Sequence, residues 1–421
     1  MSGDGEVVTI RSLASGGSGV GRLADGMTVF VPRTVPGDVV RLAELRRRRR
    51  HAEAQVAQIV TAGPDRVEPV CPHFTADRCG GCQWLHIAPA AQAEAKRRIV
   101  GDALRRIAKL DLPDPELVSS PHPLGYRTTV TLTVRWRGSR PVVGFHDSVT
   151  PDRVFPLEHC AIAHPDLNAL WEALRGAAAC LPRGDDVRLK LRRSSAGALH
   201  AVVAGGDRAW TDGAPLVAAA HARGLSVSVW WQPAAGAVRR VAGPEADPAV
   251  AAFAQVNPAV ATLLYAAVVN AVQAAGRPGR LLDLYAGAGE TALALAEAGW
   301  DAVLVELDAR AVRRAEALAA DRSVRLRCIA GRVEEHLAPL LPADVVVVNP
   351  PRTGLGAPVT ERLFAQFPRR LVYVSCDPAT LSRDLARLGV AASHVRDARA
   401  FDMFPQTSHV ETVVVAERVG A

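Results

Sequence analysis

Leu281-Leu-Asp-Leu-Tyr285-Ala-Gly287-Ala-Gly289-Glu-Thr291 decides the fold. Its first half is apolar apart from Asp283 and reads as a buried strand. Its second half is a glycine-rich turn, and residues 292–298 begin the next helix. Strand, glycine turn and helix form the opening unit of a doubly wound α/β sheet. The alternation continues downstream. Residues 301–305 read as the second strand, ended by Glu306, and 323–329 as the third, holding Cys328 in the core. Residues 344–348 form the fourth, ending at Asn349-Pro-Pro-Arg352, and 371–374 the fifth. This predicts a mostly parallel sheet from residue 253 onward, closed by a hairpin over 391–397 and 409–415.

The chemistry-bearing residues fall at strand ends, where open α/β sheets place ligands. A glycine turn lets a nucleotide approach the backbone and a helix N-terminus. Glu306 can accept both hydrogen bonds of a ribose diol. The third glycine of a dinucleotide fingerprint is missing, and Asn349-Pro-Pro suits enzymes that methylate a nucleobase with S-adenosylmethionine (AdoMet). AdoMet is therefore favoured over NAD. Cys376 follows the fifth strand in Ser375-Cys376-Asp377-Pro378, ahead of a helix over 380–387. A thiolate there can act as a nucleophile. A buried core thiol is the competing reading, and position alone does not separate them.

The chain has 421 residues, with 49% hydrophobic and 22% charged residues, enough for two or three domains with ordinary cores. A net charge of +7 favours a polyanionic partner, although part of the arginine excess reflects base composition. No apolar run long enough to span a membrane occurs, and Met1-Ser-Gly-Asp-Gly-Glu lacks a signal core, so a cytoplasmic protein is expected. There, seven cysteines suit metal ligation or catalysis better than disulfides. No protein partner is indicated, and a monomer is the default.

Three parts are expected: 1–62, 63–250 and 251–421. The first reads as a small β-barrel, with strands at 7–10, 27–31, 39–42 and 54–59. Gly16, Gly17, Gly19 and Gly21 punctuate its first turn, and Arg46 to Arg50 form a basic run between strands, suited to phosphate contact. The second carries Cys71, Cys79, Gly80-Gly81 and Cys82, with Cys160 far downstream. This set suits an iron–sulfur cluster. Zinc also fits, with His73, His86 or His159 as a further ligand, and spacing alone leaves both open. A helix is expected over 90–109 and another over 161–181, the latter burying Cys180. Strands are expected at 128–136, 141–145, 187–192, 199–203 and 225–231, with a linker over 233–247. Tyr126-Arg127 is either an RNA contact or structural.

Five motifs occur in a fixed order: Phe253-x-Gln255-Val-Asn257; Asp283-Leu-Tyr285-x-Gly287-x-Gly289; Asn349-Pro-Pro-Arg352-x-Gly354-Leu355; Ser375-Cys376-Asp377-Pro378-x-Thr380-x-x-Arg383-Asp384; and Phe401-Asp-Met-Phe404-Pro405-x-Thr407-x-His409-Val-Glu411. The series resembles the TrmA/RlmD-type family of RNA 5-methyluridine methyltransferases. Gly17-x-Gly19-Val-Gly21-Arg with Pro36-Gly37-Asp38 resembles a TRAM domain, an RNA-binding barrel. Cys71, Cys79, Cys82 and Cys160 resemble the 4Fe–4S site of the RlmD-like branch. The resemblance implies a Rossmann-like AdoMet methyltransferase fold preceded by an OB-like barrel and a β-rich central domain. It assigns the nucleophile to Cys376 and the base to Glu411. It places AdoMet at Gln255, Tyr285, Gly287, Gly289, Glu290, Glu306 and Asn349. Ribosomal RNA is the favoured substrate, with tRNA open. The family commonly has Asn where Glu290 stands and Asp where Asn349 stands, and the Asn that often follows Tyr126-Arg127 is absent. Two other readings remain: a non-catalytic RNA-binding or chaperone relative, and a methyltransferase acting on an exocyclic amine.

Overall fold

A computed structural model describes residues 5–206, 208–234, 236–246 and 255–417. Phe253 and part of the expected linker lie outside these residues. The first sheet holds β1 (Val7–Thr9), β2 (Ser12–Leu13), β3 (Gly19–Arg22), β4 (Thr28–Val31), β5 (Val39–Arg47) and β6 (Ala52–Thr61) in the order β1-β5-β6-β4-β3-β2. β1 and β2 are two stretches of one bent segment that pair at opposite ends of this order, so the sheet curls into a barrel around Val8, Ile10, Val29 and Val40. Gly19 and Gly21 lie inside β3 rather than in a turn. A Cβ on Gly21 would meet Val8 Cγ1 at 2.3 Å, so close strand packing explains the glycine. The basic run is not wholly a loop: Arg46 and Arg47 extend β5 opposite Glu53 and Ala52.

After α1 (Pro72–Ala76) and α2 (Pro89–Arg106) comes the short β7 (Glu116–Val118). The second sheet follows: β8 (Thr129–Arg137), β9 (Arg140–His146), β10 (Val154–Pro156), β11 (Arg188–Arg193), β12 (Leu199–Ala204), β13 (Val227–Gln232) and β14 (Arg239–Ala242). Its order is β10-β9-β8-β11-β12-β13-β14. The expected linker thus contains a strand, because β14 pairs with β13. Helices α3 (Pro165–Leu174) and α4 (Ala214–His221) cover the apolar face. α3 starts later than expected: Pro165 suits a first turn, and the His164 side chain accepts the Asp166 N–H at 3.2 Å. Beyond Leu174 the helix tightens into a 3-10 turn, Arg175–Cys180.

The third sheet holds the glycine turn. Its elements are α5 (Pro258–Gln273), β15 (Arg280–Leu284), α6 (Glu290–Glu297), β16 (Asp301–Glu306), α7 (Ala309–Asp321), β17 (Arg327–Ala330), α8 (Val333–His336), β18 (Val345–Val348), α9 (Ala357–Ala365), β19 (Arg370–Ser375), α10 (Pro378–Arg387), β20 (Val395–Phe401) and β21 (Glu411–Glu417). The order is β17-β16-β15-β18-β19-β21-β20-β7, with β15 to β19 parallel and β21 antiparallel. This is the expected Rossmann-like arrangement, and its order reverses between β15 and β18. β17 starts four residues late because Ser323 ends α7 in the left-handed region, φ 54°.

One feature departs from the expected three-part division. β7 pairs with β20 at the sheet edge, and Val100, Leu104 and Leu110 share a core with β15, β18 and β19. The segment 89–118 therefore packs with the last sheet, although it lies within the central part of the chain. Among the described residues no helix is long and apolar enough to cross a membrane.

Candidate active site and four-cysteine cavity

The turn after β15 is shaped by three consecutive odd positions in left-handed conformation: Tyr285 (φ 60°), Gly287 (φ 59°) and Gly289 (φ 76°). The two glycines do different work. A Cβ on Gly289 would lie 2.5 Å from Leu304 Cδ1, so this glycine lets α6 sit against β16. A Cβ on Gly287 would meet nothing within 4 Å, so this position faces open space. Glu306 closes the turn: its carboxylate accepts the Gly287 N–H at 2.9 Å and the Asp308 N–H at 2.8 Å. Beside it Leu307 is 66% exposed, an apolar side chain held in the open. Glu290 opens α6 and is exposed. The side chain of Tyr285 is half-buried and meets Glu334. Asn349 follows β18; its N–H donates to Leu284 O at 3.1 Å and its side chain is exposed. Gln255 is partly buried, next to Val256, whose carbonyl accepts the Thr128 N–H at 2.9 Å.

Cys376 and Glu411 come together through strand register. β19 and β21 run antiparallel with Ser375 opposite Thr412, so the next step sets Cys376 beside Glu411. Glu411 is only 6% exposed, and burial pushes its carboxyl up to about 7. Burial also raises the Cys376 thiol, and the Glu411 charge adds to that rise. The Arg352 guanidinium opposes both rises. Asp377 caps α10, accepting the Thr380 N–H at 2.8 Å. α10 in turn holds the loop after β18. Thr380 Oγ1 donates to Arg352 O at 3.1 Å, Arg383 Nη2 donates to Thr353 O at 2.7 Å, and Leu355 N–H donates to Asp384 at 2.8 Å. The motif spacing Thr380-x-x-Arg383-Asp384 is thus one helix face clamping the Arg352 loop.

The loop between β20 and β21 is held from outside its own sheet. Lys96 Nζ, fully buried, donates to Asp402 Oδ1 at 2.5 Å and to Phe404 O at 3.0 Å. Tyr126 OH donates to Pro405 O at 3.1 Å, which gives Tyr126 a structural role. Asn257, besides accepting the Val260 N–H at 3.4 Å to cap α5, donates to Met403 O at 3.3 Å.

Cys71, Cys79, Cys82 and Cys160 line one cavity of about 330 Å³, bounded also by Arg127, His159, Lys190 and Arg192. Burial pushes the Cys79 thiol up to about 11 and raises Cys82 and Cys160 as well. Gly81 N–H donates to Cys79 Sγ at 3.5 Å. The histidines separate. His73 is committed, with Nδ1 2.7 Å from Asp77 and Nε2 accepting the Glu158 N–H at 3.1 Å. His86 lies 3.3 Å from Thr34 O and stacks on Phe74. His159 borders the cavity. Among the described residues no group of three or more His, Cys, Asp or Glu side chains is arranged to hold a metal ion.

Residues 339–419 match the family model described as tRNA (Uracil-5-)-methyltransferase, and 247–373 match the methyltransferase small domain. The chain is 33% identical over 440 residues to the 23S rRNA (uracil(1939)-C(5))-methyltransferase RlmD of Azoarcus sp., covering 97% of this chain and 99% of that protein. The chain belongs to the RNA uracil-C5-methyltransferase family. It is 33% identical to an uncharacterized RNA methyltransferase of Gloeobacter violaceus, covering 99% of this chain and 97% of that one. The structure of Pyrococcus abyssi tRNA (uracil-54, C5)-methyltransferase, 21% identical, shares the fold with a TM-score of 0.74, covering 97% of this chain and 99% of that one.

Two residues of this family member stand out in the structure but not among the candidates read from sequence. Arg352 carries a positive charge that acts on both Cys376 and Glu411; its place in Asn349-Pro-Pro-Arg352 was the available signal. Asp283 is buried at the end of β15 and held up to about 7 by burial, with Glu290 and Glu306 adding to the rise. Its signal was a lone acid in an otherwise apolar strand.

Proposed function

We propose that this chain methylates carbon 5 of a uracil in RNA, with Cys376 as nucleophile and Glu411 as the base for the carbon 5 proton. The observation that carries this is the β19–β21 register, which sets a thiol beside a buried carboxylate at the ligand-binding end of the sheet. Carbon 5 of uracil is a poor nucleophile. When the Cys376 sulfur bonds to carbon 6, the ring electrons shift onto the carbonyl as an enolate, and carbon 5 becomes electron-rich. Bound AdoMet would supply the electrophilic methyl group that carbon 5 takes, with a neutral thioether as leaving group. Glu411 then takes the carbon 5 proton, the double bond re-forms and the thiolate departs. A carboxyl held near 7 is well matched to that step at neutral pH. Arg352 can steady the thiolate before addition. Methylation of an exocyclic amine would leave this pair without a task.

The turn after β15 fits AdoMet. Asp283, Glu290 and Glu306 surround it, a field that favours a cationic sulfonium and repels a pyrophosphate. Glu306 can hold a ribose diol, Leu307 offers an apolar face to a base, and Gly287 leaves room for close approach. Gly287→Ala is expected to weaken binding of S-adenosylhomocysteine about tenfold, a loss of about 1.4 kcal/mol. Both substitutions strain a left-handed backbone, but Gly289→Ala should lower the melting temperature further, because its Cβ would also strike Leu304. Titration calorimetry and thermal melts distinguish the two; unchanged affinity in Gly287→Ala would move the cofactor elsewhere.

A 4Fe–4S cluster held by Cys71, Cys79, Cys82 and Cys160 is proposed for the four-cysteine cavity; that all four line one cavity supports it. Buried thiols become thiolates only beside strong positive charge, which iron supplies. Gly81 N–H already points at a sulfur, and the Arg127 guanidinium, whose Nε is buried without a hydrogen-bond partner, lies near Cys82 and Cys160 to offset a net negative cluster. Such a cluster would cross-link chain segments far apart in sequence. Anaerobically purified protein should contain about four iron and four sulfide per chain. Cys82→Ala should lose the colour and melt at lower temperature. A colourless zinc protein would overturn the cluster.

The barrel of β1 to β6 is proposed to be the TRAM-like RNA-binding module, with Arg46 to Arg50 at the tip of the β5–β6 hairpin for phosphate contact. The same two features, barrel and cysteines, favour ribosomal RNA. Mapping 5-methyluridine in the rRNA and tRNA of a deletion strain tests this. A missing rRNA methyl group would support it; a change confined to tRNA would redirect it, and no change in either would overturn it.

A further inference from the structure

Glu411 is the first residue of its strand, so its aim depends on the loop that delivers it. Phe401 and Glu411 pair across the hairpin, and residues 402–410 between them form neither helix nor strand. Internal bonds are few: Thr407 Oγ1 donates to Phe404 O at 2.8 Å and accepts the His409 N–H at 3.2 Å. Yet Gln406, Thr407 and Ser408 are all nearly buried.

The centre of this loop is gripped by one buried side chain 314 positions away. Gln92, on α2, donates through Nε2 to Gln406 Oε1 at 2.9 Å and accepts the Gln406 N–H on Oε1 at 3.1 Å. The same Nε2 lies 3.0 Å from Trp84 O and 2.8 Å from Ile87 O. Trp84 N–H donates to Gln406 O at 3.0 Å. Gln406 also donates to Pro123 O at 3.3 Å. Its backbone sits at φ 67°, in the left-handed region that residues with a side chain rarely adopt. The reciprocal bonds hold that conformation in place, and buried amides left half-partnered would be penalised. The partners of the clasp lie on α2, in the segment before it and at Pro123, and none belongs to β19 or to the glycine turn.

We propose that the paired amides of Gln92 and Gln406 are positioning residues for the proton-removal step, fixing loop 402–410 in the shape that aims Glu411 at carbon 5. The inference rests on the reading of Glu411 as the base. Its content is selective. Thiolate addition and methyl transfer use groups on β19 and the β15 turn, which the clasp leaves alone. Of the reacting pair, only Glu411 is delivered by the loop. A broken clasp therefore stalls the enzyme after methyl transfer, with RNA still bonded to Cys376.

The variants are Gln92→Met and Gln406→Met. Both substitutions keep side-chain length: Gln92→Met removes both bonds of the pair, and Gln406→Met removes the side-chain one and the bond to Pro123 O. Each variant is incubated with AdoMet and either ordinary uracil RNA or 5-fluorouracil RNA, then run on a denaturing gel. Fluorine cannot leave as a proton, so 5-fluorouracil RNA counts every site able to add and methylate. Both variants should trap 5-fluorouracil RNA at close to the native rate. With ordinary RNA they should show a covalent band that the native protein lacks, and methylated product should appear about 10- to 100-fold more slowly, the range expected for a misplaced catalytic group. Glu411→Gln is run beside them. If it traps no ordinary RNA, the base assignment fails. If it does and neither Met variant does, or if trapping and turnover fall together in both, the positioning role is overturned.

Discussion

Replacing Cys376 with alanine is expected to abolish methylation, with a loss of at least about 10⁴-fold, because no other group can raise the nucleophilicity of carbon 5. The same variant should form no covalent complex with 5-fluorouracil RNA. The structure makes this sharper than a generic active-site substitution. Cys376 lies just beyond β19 and contributes little to the core beneath it, since Leu371, Val372, Tyr373 and Val374 fill that space. Thermal stability should therefore hold while activity vanishes. AdoMet binding should also hold, because the glycine turn lies on a different strand. Burial and Glu411 raise the thiol above its ordinary value, so the resting enzyme carries neutral sulfur. Alkylation of Cys376 by iodoacetamide should be slow in the free protein and accelerate with rising pH. A residual methylation rate in Cys376→Ala close to native would transfer the chemistry to a direct mechanism on an amine.

Glu411→Gln carries the second largest effect, and its signs can be worked out. The carboxyl is held at about 7, so native turnover should fall roughly tenfold per pH unit below that value as the base is protonated. The amide of the variant cannot accept the proton at any pH, and turnover should drop by about 10²–10⁴-fold. Stability moves the other way. Below pH 4.5 the carboxyl is protonated both folded and unfolded, and its burial carries no ionisation penalty. Between 4.5 and 7 the unfolded chain ionises while the folded one does not, so the favourable contribution is progressively lost. Above 7 the deficit is complete, about 3 kcal/mol from the shift of 4.5 to about 7. Glu411→Gln should thus melt higher than native protein at about pH 8 and lose that advantage near pH 4. Equal melting temperatures at both pH values would mean that Glu411 is solvated, and the proposed tuning would fall with it.

Much of the fold was legible because the decisive strands are buried on both faces. Leu281 to Leu284, Val345 to Val348 and Leu371 to Val374 read as strands from composition alone, and the alternation with helices then pointed to the sheet class. Cys376 was legible as a strand-end residue. That Glu411 would be buried beside it was not: an acid at a strand start looks solvated until antiparallel register is known. Arg352 and Asp283 were quoted within motifs but gained their electrostatic surroundings only in three dimensions. Short or irregular elements were missed for the same reason. β7 has three residues and no local signal, and β14 lies in a stretch whose glycine, alanine and proline mimic a linker. Tyr126, Gln92 and Lys96 take their meaning from partners hundreds of positions away. No window of sequence contains both members of such a pair.

The pairing of β7 with β20 has a consequence for how the molecule comes into being. During synthesis, β7 leaves the ribosome long before the strand it will join. The segment 89–118 must therefore wait, its apolar residues Val100, Leu104 and Leu110 uncovered, until the last sheet has been translated. Such late, long-range closure slows folding and leaves a sticky intermediate. It also means that the methyltransferase half is not a detachable cassette. Cutting the chain near residue 250 would strip the sheet of its edge strand and of the helix that covers its core. Transplanting the barrel and cysteine region onto another enzyme would have to carry 89–118 across or leave it behind, and neither half would then be whole.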